Sequence, residues 1–534
     1  MATFASPRVQ VTEIDISQFI GNLPTSVGVI AFAAKRGPVT PQFVSSTRRF
    51  KELFSSTQYR LDKGYISHYA AVSFLQSGYS GLWANRAVPD DIKFSFIVVN
   101  TNDSSTATTT PTTGMSVQTD RSGPVLPNWG DYTEQDKTPC MFIYAWSPGE
   151  IGDNIQVAIP QVNSTEKTFR LVVTETLPDG SVETRFDGNL SLNPDARDGY
   201  GNSIFAETAL SDNDYVRIAV NPDTYDTYPK NFTTAVSLAG GDDGSSVQVG
   251  KIVDRYDLFS NTEEYDVDLF IQGGIGSDTL RTALVNLAEG RGDAVAVLDV
   301  DEGTYKVSDI KTWRSGTFTV SSSYAWAIAP WLRVYDYDND VQLYIPPSGL
   351  VAGMMARTDR EHDPWWVPAG LNRGRANVLG LKIYYSLAER DELDKVQINC
   401  FIRKPGAIAL WNNRTLQVQE SAFSFIETRR LLNYIKKNVC RTLDQFLFEP
   451  LTDFTRERVV AVLDDFMAAI RRRFGVLDYR VVSDPIGTGN NPPNQIDQGM
   501  LTVELYLKPV RAIRFIWLKV IVTRTGYNFE ERMI

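Results

Sequence analysis

Histidine is almost absent from this chain of 534 residues: only His68 and His362 occur, which excludes multi-histidine metal centres and leaves little for a catalytic triad. Cysteine is nearly as scarce. Cys140, Cys400 and Cys440 are odd in number and widely spaced, so neither a disulfide framework nor a zinc pattern follows from them, and a reducing compartment suits them. No apolar run approaches the roughly 18 residues of a membrane-spanning helix, and the opening MATFASPRVQVTEID has no basic stretch followed by an apolar one. Cytosolic synthesis without membrane insertion is the expectation. Positive charge is also short: 53 Lys and Arg against 64 Asp and Glu leave a net −11, which argues against direct nucleic-acid binding at the level of the whole chain.

Apolar side chains make up 43% of the sequence and charged ones 22%, the balance of a chain that folds, and at roughly 100 to 200 residues per domain its length predicts three or four. Near the start, Val9 and Val11 share one strand phase and Ile14 and Ile16 the other, an extended arm over residues 1–22. Val27 to Phe32 is a short apolar strand, and Tyr65, Ile66, Tyr69, Val72 and Leu75 recur at helical spacing up to Gly78. The polar, low-complexity TNDSSTATTTPTT opens an exposed insertion over 91–140. Alternating segments such as FRLVVTETL and DYVRIAV, separated by turn residues, then predict an antiparallel β domain over 141–249. From Lys251 the pattern becomes βαβ: VDLFI, a glycine-rich turn, a helix carrying Leu280, Leu284 and Leu287, and the strand AVAVLDV. Later, Val459, Leu463, Phe466, Ile470 and Phe474 line one side of a helix, and Leu501, Val503, Leu505 and Leu507 alternate as a half-buried strand. The fold class is therefore α+β and α/β, in several domains.

Signals for catalysis are weak. Gly273, Gly274 and Gly276 lie between a strand and a helix, yet lack the spacing of a phosphate-binding loop, so a plain βα turn is expected. Asp336, Asp338 and Asp340 imitate the start of a calcium loop, but Val341 and Pro347 stand where Gly and Glu are needed; the run reads as a solvated acidic strand or loop. His68 reads as a helix-surface residue. His362, beside Asp359 and Asp363, shows no metal-ligand spacing.

Three blocks in the last third carry a family likeness. NCFIRKPGAIALWNNRT (399–415), FIETRRLLNYIKKNV (425–439) and NNPPNQIDQGMLTVELYLKPVRAIRFIWLKV (490–520) resemble, in order and spacing, blocks of the phage tail sheath family. AFAAKRGPVTPQFVSSTRRFKELF (31–54), SGLWANRA (80–87) and DPWWVPAGLNRGR (363–375) are similar to its upstream segments. The likeness covers most of 1–90 and 250–520, and is loose over 91–240. One departure is Asn412-Asn413, where family members commonly carry small residues.

The resemblance implies a sheath core of mixed β-sheets flanked by helices, with an inserted antiparallel β domain and extended arms at both ends. Its parts are a discontinuous central α/β domain (23–90 with 250–376), a C-terminal α/β core domain facing the inner tube (377–514) and a last strand with C-terminal arm (515–534). It further implies a non-enzymatic homopolymer of stacked, hexameric rings around an inner tail tube protein, meeting baseplate and tail terminator proteins, without cofactor or metal. The location implied is the virion tail, after synthesis in the bacterial host cytoplasm. Contraction would drive the tube through the host envelope during genome ejection.

Val9, Val11, Ile14 and Ile16, with Val520, Val522, Thr523, Tyr527 and Phe529, are the candidate inter-subunit strands, because backbone pairing at a sheet edge needs only extended chain and alternate side-chain pockets. Arg429 and Arg430 lie off the apolar stripe Ile426, Leu432, Ile435 and Val439, and so are expected at a surface. Arg471, Arg472 and Arg473 close a helix, either as a solvated cationic last turn or as a contact to an acidic patch on the inner tube. Two competitors remain: the sheath of a related contractile injection system, such as a bacteriocin or secretion device, and a cell-wall glycan-active enzyme with Trp365 and Trp366 as its sugar platform.

Overall fold

The computed structural model describes residues 26–57, 60–78, 80–111, 113–116, 118–120, 123–131, 139–515 and 517. They belong to two compact units, which part between 445 and 446.

The larger unit is built on a nine-stranded sheet. Its order is Gln42–Val44, Leu82–Ala87, Gly28–Ala33, Leu269–Ile271, Val295–Asp299, Ala325–Ala329, Ile398–Lys404, Ala407–Leu410, Arg375–Ala376. The six strands from Leu82–Ala87 to Ile398–Lys404 run parallel, and antiparallel partners close both sides. Both faces are covered, which is why these strands read as apolar runs rather than clean alternation. Period two still sorts them. Ile30, Phe32, Val297 and Ile328 face one core with helices Ile66–Gly78 and Pro347–Glu361, whereas Val29, Ala31, Leu298 and Ile398 face a second with helices Val249–Asp257 and Asp278–Arg291.

Helices Ile66–Gly78 and Pro347–Glu361 touch through small residues. A methyl group at Gly349 would lie 2.0 Å from the Ala70 carbonyl oxygen, and one at Gly353 2.7 Å from Ser77 Cβ. The same helix buries His68, against expectation, on the side that meets Phe32 and Phe50. His68 is 0% exposed, with its ring 5.0 Å from Phe32, 5.6 Å from Phe50 and stacked on Tyr65 at 5.3 Å.

The inserted β region is larger than its sequence pattern marks. Phe96–Asn100, placed by the sequence in an exposed insertion, is a buried strand between Pro139–Ala145 and Thr108–Thr109. That sheet packs on a second one, ordered Val182–Ser191, Thr168–Thr176, Ile155–Asn163, Phe232–Ser237, around Ile97, Val99, Met141, Phe169, Leu171 and Val173. The result is an antiparallel sandwich. It is pinned to the sheet unit: Arg36 meets Glu175 at 2.7 Å, Arg49 holds both oxygens of Asp214, and the buried Arg86 guanidinium donates to the carbonyls of Ala34, Lys35, Gly37 and Pro148.

The expected boundary at 376/377 also shifts. Strands Ile398–Lys404 and Ala407–Leu410, joined by the Pro405-Gly406 turn with Gly406 at φ +76°, complete the large sheet, so the chain leaves this unit only after helix Ile426–Leu443.

Candidate functional site: an open ribbon and a charged docking helix

In the smaller unit, helix Asp453–Arg472 starts at Thr452, whose hydroxyl accepts from the Thr455 N–H, and turns Val459, Leu463, Phe466, Met467 and Ile470 inward. Phe474, expected on that stripe, falls past the helix end at φ +60° and is 69% exposed. Strands Val476–Val482 and Glu504–Pro509 then pair antiparallel, Tyr479 opposite Leu507 and Val481 opposite Leu505. Tyr479 Oη donates to the Asp464 carbonyl at 3.1 Å, tying the ribbon to the helix.

Among the described residues this ribbon has no third strand, so both outer edges present backbone N–H and C=O groups without a ladder partner. A lone two-stranded ribbon is marginal in water, and open edges are templates for another strand. Side chains add to the invitation: Leu477 and Tyr506 on the ribbon are exposed, as are Ile513, Phe515 and Trp517 beyond it at 82%, 78% and 88%.

The long connection between the two strands is closed from inside by Asn491. Its Oδ1 accepts from the Thr502 N–H at 2.7 Å, and its Nδ2 donates to the Asp484 carbonyl at 2.8 Å. Asp453 adds a helix-to-loop bond by accepting from the Ile486 N–H at 3.1 Å.

Arg471 and Arg472 are exposed at the helix end and Arg473 is half-buried. Arg471 lies 4.0 Å from Asp478 on the ribbon, a loose pairing that leaves the cationic turn open to solvent.

Arg429 and Arg430 are the clearest correction. Neither lies at a surface. Helix Ile426–Leu443 docks through a polar face: the Arg429 guanidinium sits 4.0 Å over Tyr324 and 4.2 Å over Phe423 and donates to Ser323 at 2.6 Å, while Arg430 grips both oxygens of buried Asp359. Lys437 reaches Asp266 and Asp268, and Asn413 donates to both oxygens of Glu427. Burial lifts the Asp268 carboxyl to about 6 even though Lys437 pulls it the other way. Burial alone would lower the Lys437 ammonium, but Asp268 and Asp266 outweigh it and hold it above the ordinary lysine range.

Val9, Val11, Ile14, Ile16, Val520, Val522, Thr523, Tyr527 and Phe529 lie outside the described residues.

The residues weighed for catalysis serve the fold. Gly273 and Gly274 do form a βα turn, at φ +73° and +78°, and the Gly274 N–H donates to Asp299, which also caps Ser348 at the start of helix Pro347–Glu361. Asp336 and Asp338, expected to be solvated, are instead used inside the protein: Asp336 accepts from Tyr69 at 2.7 Å and Asp338 pairs with Lys51 at 2.6 Å. Trp365 is buried against Tyr434, and Trp366 is stacked on His362 and Arg373, so the pair offers no flat sugar platform. Among the described residues no cluster of three His, Cys, Asp or Glu stands ready for a metal ion.

Residues 251–416 match the phage tail sheath protein central domain and residues 418–523 the phage tail sheath C-terminal domain, together just over half of the chain. A tail sheath protein of Enterobacteria phage T4 is 31% identical over 331 residues, covering 58% of this chain and 50% of the relative. The chain thus spans about half the length of the curated relatives it matches. Among solved structures, the sheath tail protein Lin1278 of Listeria innocua superposes with a TM-score of 0.57 at 12% identity, covering 93% of this chain and 94% of that one. The contracted helical sheath of the anti-feeding prophage does so with a TM-score of 0.54 at 14% identity, covering 97% and 99%. The fold is that of sheath proteins, and by its central and C-terminal domains this chain belongs to the phage tail sheath family.

Proposed function

We propose that this chain is a structural, non-enzymatic subunit of a contractile tail sheath in the virion. Copies polymerise as a helical sleeve of stacked rings around an inner tail tube, meeting baseplate and terminator proteins at the ends. The single observation that carries the reading is the Val476–Val482 and Glu504–Pro509 ribbon, whose two edges have no strand beside them among the described residues. Segments 1–22 and 515–534 of other copies supply those strands by β-augmentation. At a net ~1 kcal/mol per backbone hydrogen bond, about eight bonds per segment make a tether that survives while side-chain contacts between rigid cores are exchanged. The sleeve then shortens from a metastable extended state without coming apart, because a few kcal/mol per subunit summed along the polymer makes the stroke irreversible. The stroke drives the tube through the host envelope.

The test is deletion of residues 523–534, and separately of 1–22, in a chain co-expressed with its tube protein. Each deletion is expected to abolish long sheaths in negative-stain images while leaving the monomer folded. Sheaths of normal length that still contract would refute the tether.

A further inference from the structure

The first described residues of the chain and helix Ile426–Leu443 share the same two buried carboxylates. Asp268 Oδ2 accepts from the Val27 N–H at 3.0 Å while its Oδ1 accepts from Lys437 Nζ at 2.6 Å. Asp359 Oδ2 accepts from Ser26 Oγ at 3.3 Å while its Oδ1 accepts from Arg430 Nη1 at 2.8 Å, with Arg430 Nη2 on the other oxygen. All four charged side chains are at most 8% exposed. Arg430 and Lys437 are seven residues apart, two turns of one helix face or about 10.5 Å, so the two contacts act as separated points of a clamp. The Asp268 N–H donates to the Val27 carbonyl at 2.9 Å, and Ser80 Oγ donates to the Ser26 carbonyl at 2.7 Å, which fixes the heading of the chain as it enters strand Gly28–Ala33.

Ser26 and Val27 lead into the first described strand of the larger unit, Gly28–Ala33, and helix Ile426–Leu443 is the last long helix before the chain leaves that unit. We propose that Arg430 and Lys437 are positioning residues that bind the entry of strand Gly28–Ala33 to helix Ile426–Leu443, so that a displacement imposed at one is delivered to the other. In a sheath, and this consequence rests on the tethers proposed above, the load entering through the N-terminal segment is shared between the sheet and the helix.

The coupling is physical: a buried carboxylate that loses its cation binds a proton, and a protonated acid accepts a backbone or hydroxyl hydrogen bond less strongly. The effect therefore travels from residue 437 to residue 27 through one side chain.

Hydrogen exchange of the full, unassembled chain tests this, and because no inter-subunit contact is involved its outcome is independent of the tether reading. Lys437→Met and Arg430→Met are each expected to raise exchange at residues 26–28 about tenfold while strand Ala325–Ala329 stays as protected as before. Lys437→Arg, which keeps the cation, restores protection. Reciprocally, deleting residues 1–25 raises exchange within Ile426–Leu443. If the methionine variants fail to fold, Arg430→Lys gives a smaller rise of the same sign. Loosening of Ile426–Leu443 alone, with residues 26–28 unchanged, would overturn the clamp.

Discussion

Asn491 accepts a 2.7 Å hydrogen bond from the Thr502 backbone N–H across the connection that joins the two strands of the C-terminal ribbon, with its side chain almost wholly enclosed. The same amide donates to the Asp484 carbonyl, so one side chain sets where the strands part and where they meet again.

Replacing Asn491 by Ala leaves the Thr502 N–H and the Asp484 carbonyl without their partner, at a cost of about 2 to 3 kcal/mol for two stranded polar groups. The expected outcome is a lower melting temperature together with faster exchange over 483–504, and polymer formation that falls in step. Unchanged exchange over this segment would show that the loop is held by something else.

His68 makes stability depend on acid. Burial pushes its imidazole from the ordinary 6.5 to about 3, so the unfolded chain binds a proton that the folded one refuses. A group whose folded value is depressed contributes stability above its unfolded value and loses it as pH falls. The loss begins near pH 6.5 and continues toward 3 at up to about 1.4 kcal/mol per pH unit. Between pH 7 and 4.5 the wild type should lose about 2.5 kcal/mol more than His68→Leu, read as the difference in denaturant midpoints. Parallel pH profiles would contradict the assignment.

Glu175 is gripped from two sides, by Arg36 of the sheet unit at 2.7 Å and by Arg185 of the sandwich at 2.9 Å. Glu175→Ala takes the carboxylate from the buried Arg36 guanidinium, while Arg185 keeps Glu183, and breaking such a buried pair costs on the order of 3 kcal/mol. Proteolysis within 239–250 should accelerate while the sandwich itself stays intact; equal resistance in wild type and variant counts against this joint.

Gly349→Ala drives a methyl group to 2.0 Å from the Ala70 carbonyl oxygen, and backbone cannot swing aside as a side-chain tip can. About 3 kcal/mol of destabilisation is expected, at the upper end of overpacking costs. Gly290→Ala, where a methyl group meets nothing within 4 Å, is the control and should melt like wild type or slightly higher.

Much of this architecture is legible in the sequence because backbone pattern and turn chemistry are local. The strand before Lys35, the VDLFI and AVAVLDV strands with their helix, the Pro405-Gly406 hairpin and the Asp453–Arg472 helix all stand where periodicity places them. The burial of His68 is not legible, since helix Ile66–Gly78 is buried over most of its surface, with Gln76 left exposed, and a stripe pattern presumes one wet face. Arg429 and Arg430 mislead for a related reason: a helix can bury charge when its partners come from distant segments, here Asp359, Tyr324 and Ser323, whose proximity no local spacing encodes. One clue was present. Asp268 interrupts the apolar run Val267 to Ile271, and a carboxylate in a covered strand needs a cation brought to it. The sandwich begins earlier than its composition suggests because Phe96–Asn100 is separated from its partner Pro139–Ala145 by a polar stretch that hides the pairing.

The free margins of the C-terminal ribbon also bear on handling and on biogenesis. Among the described residues the ribbon has two open borders, with the side chains of Ile513, Phe515 and Trp517 bare beyond it, and such edges at high concentration draw chains to mispair with one another. For the sleeve proposed above, orderly construction then favours a seeded process in which a preformed rim captures monomers faster than they find each other, and the purified chain should keep best when dilute.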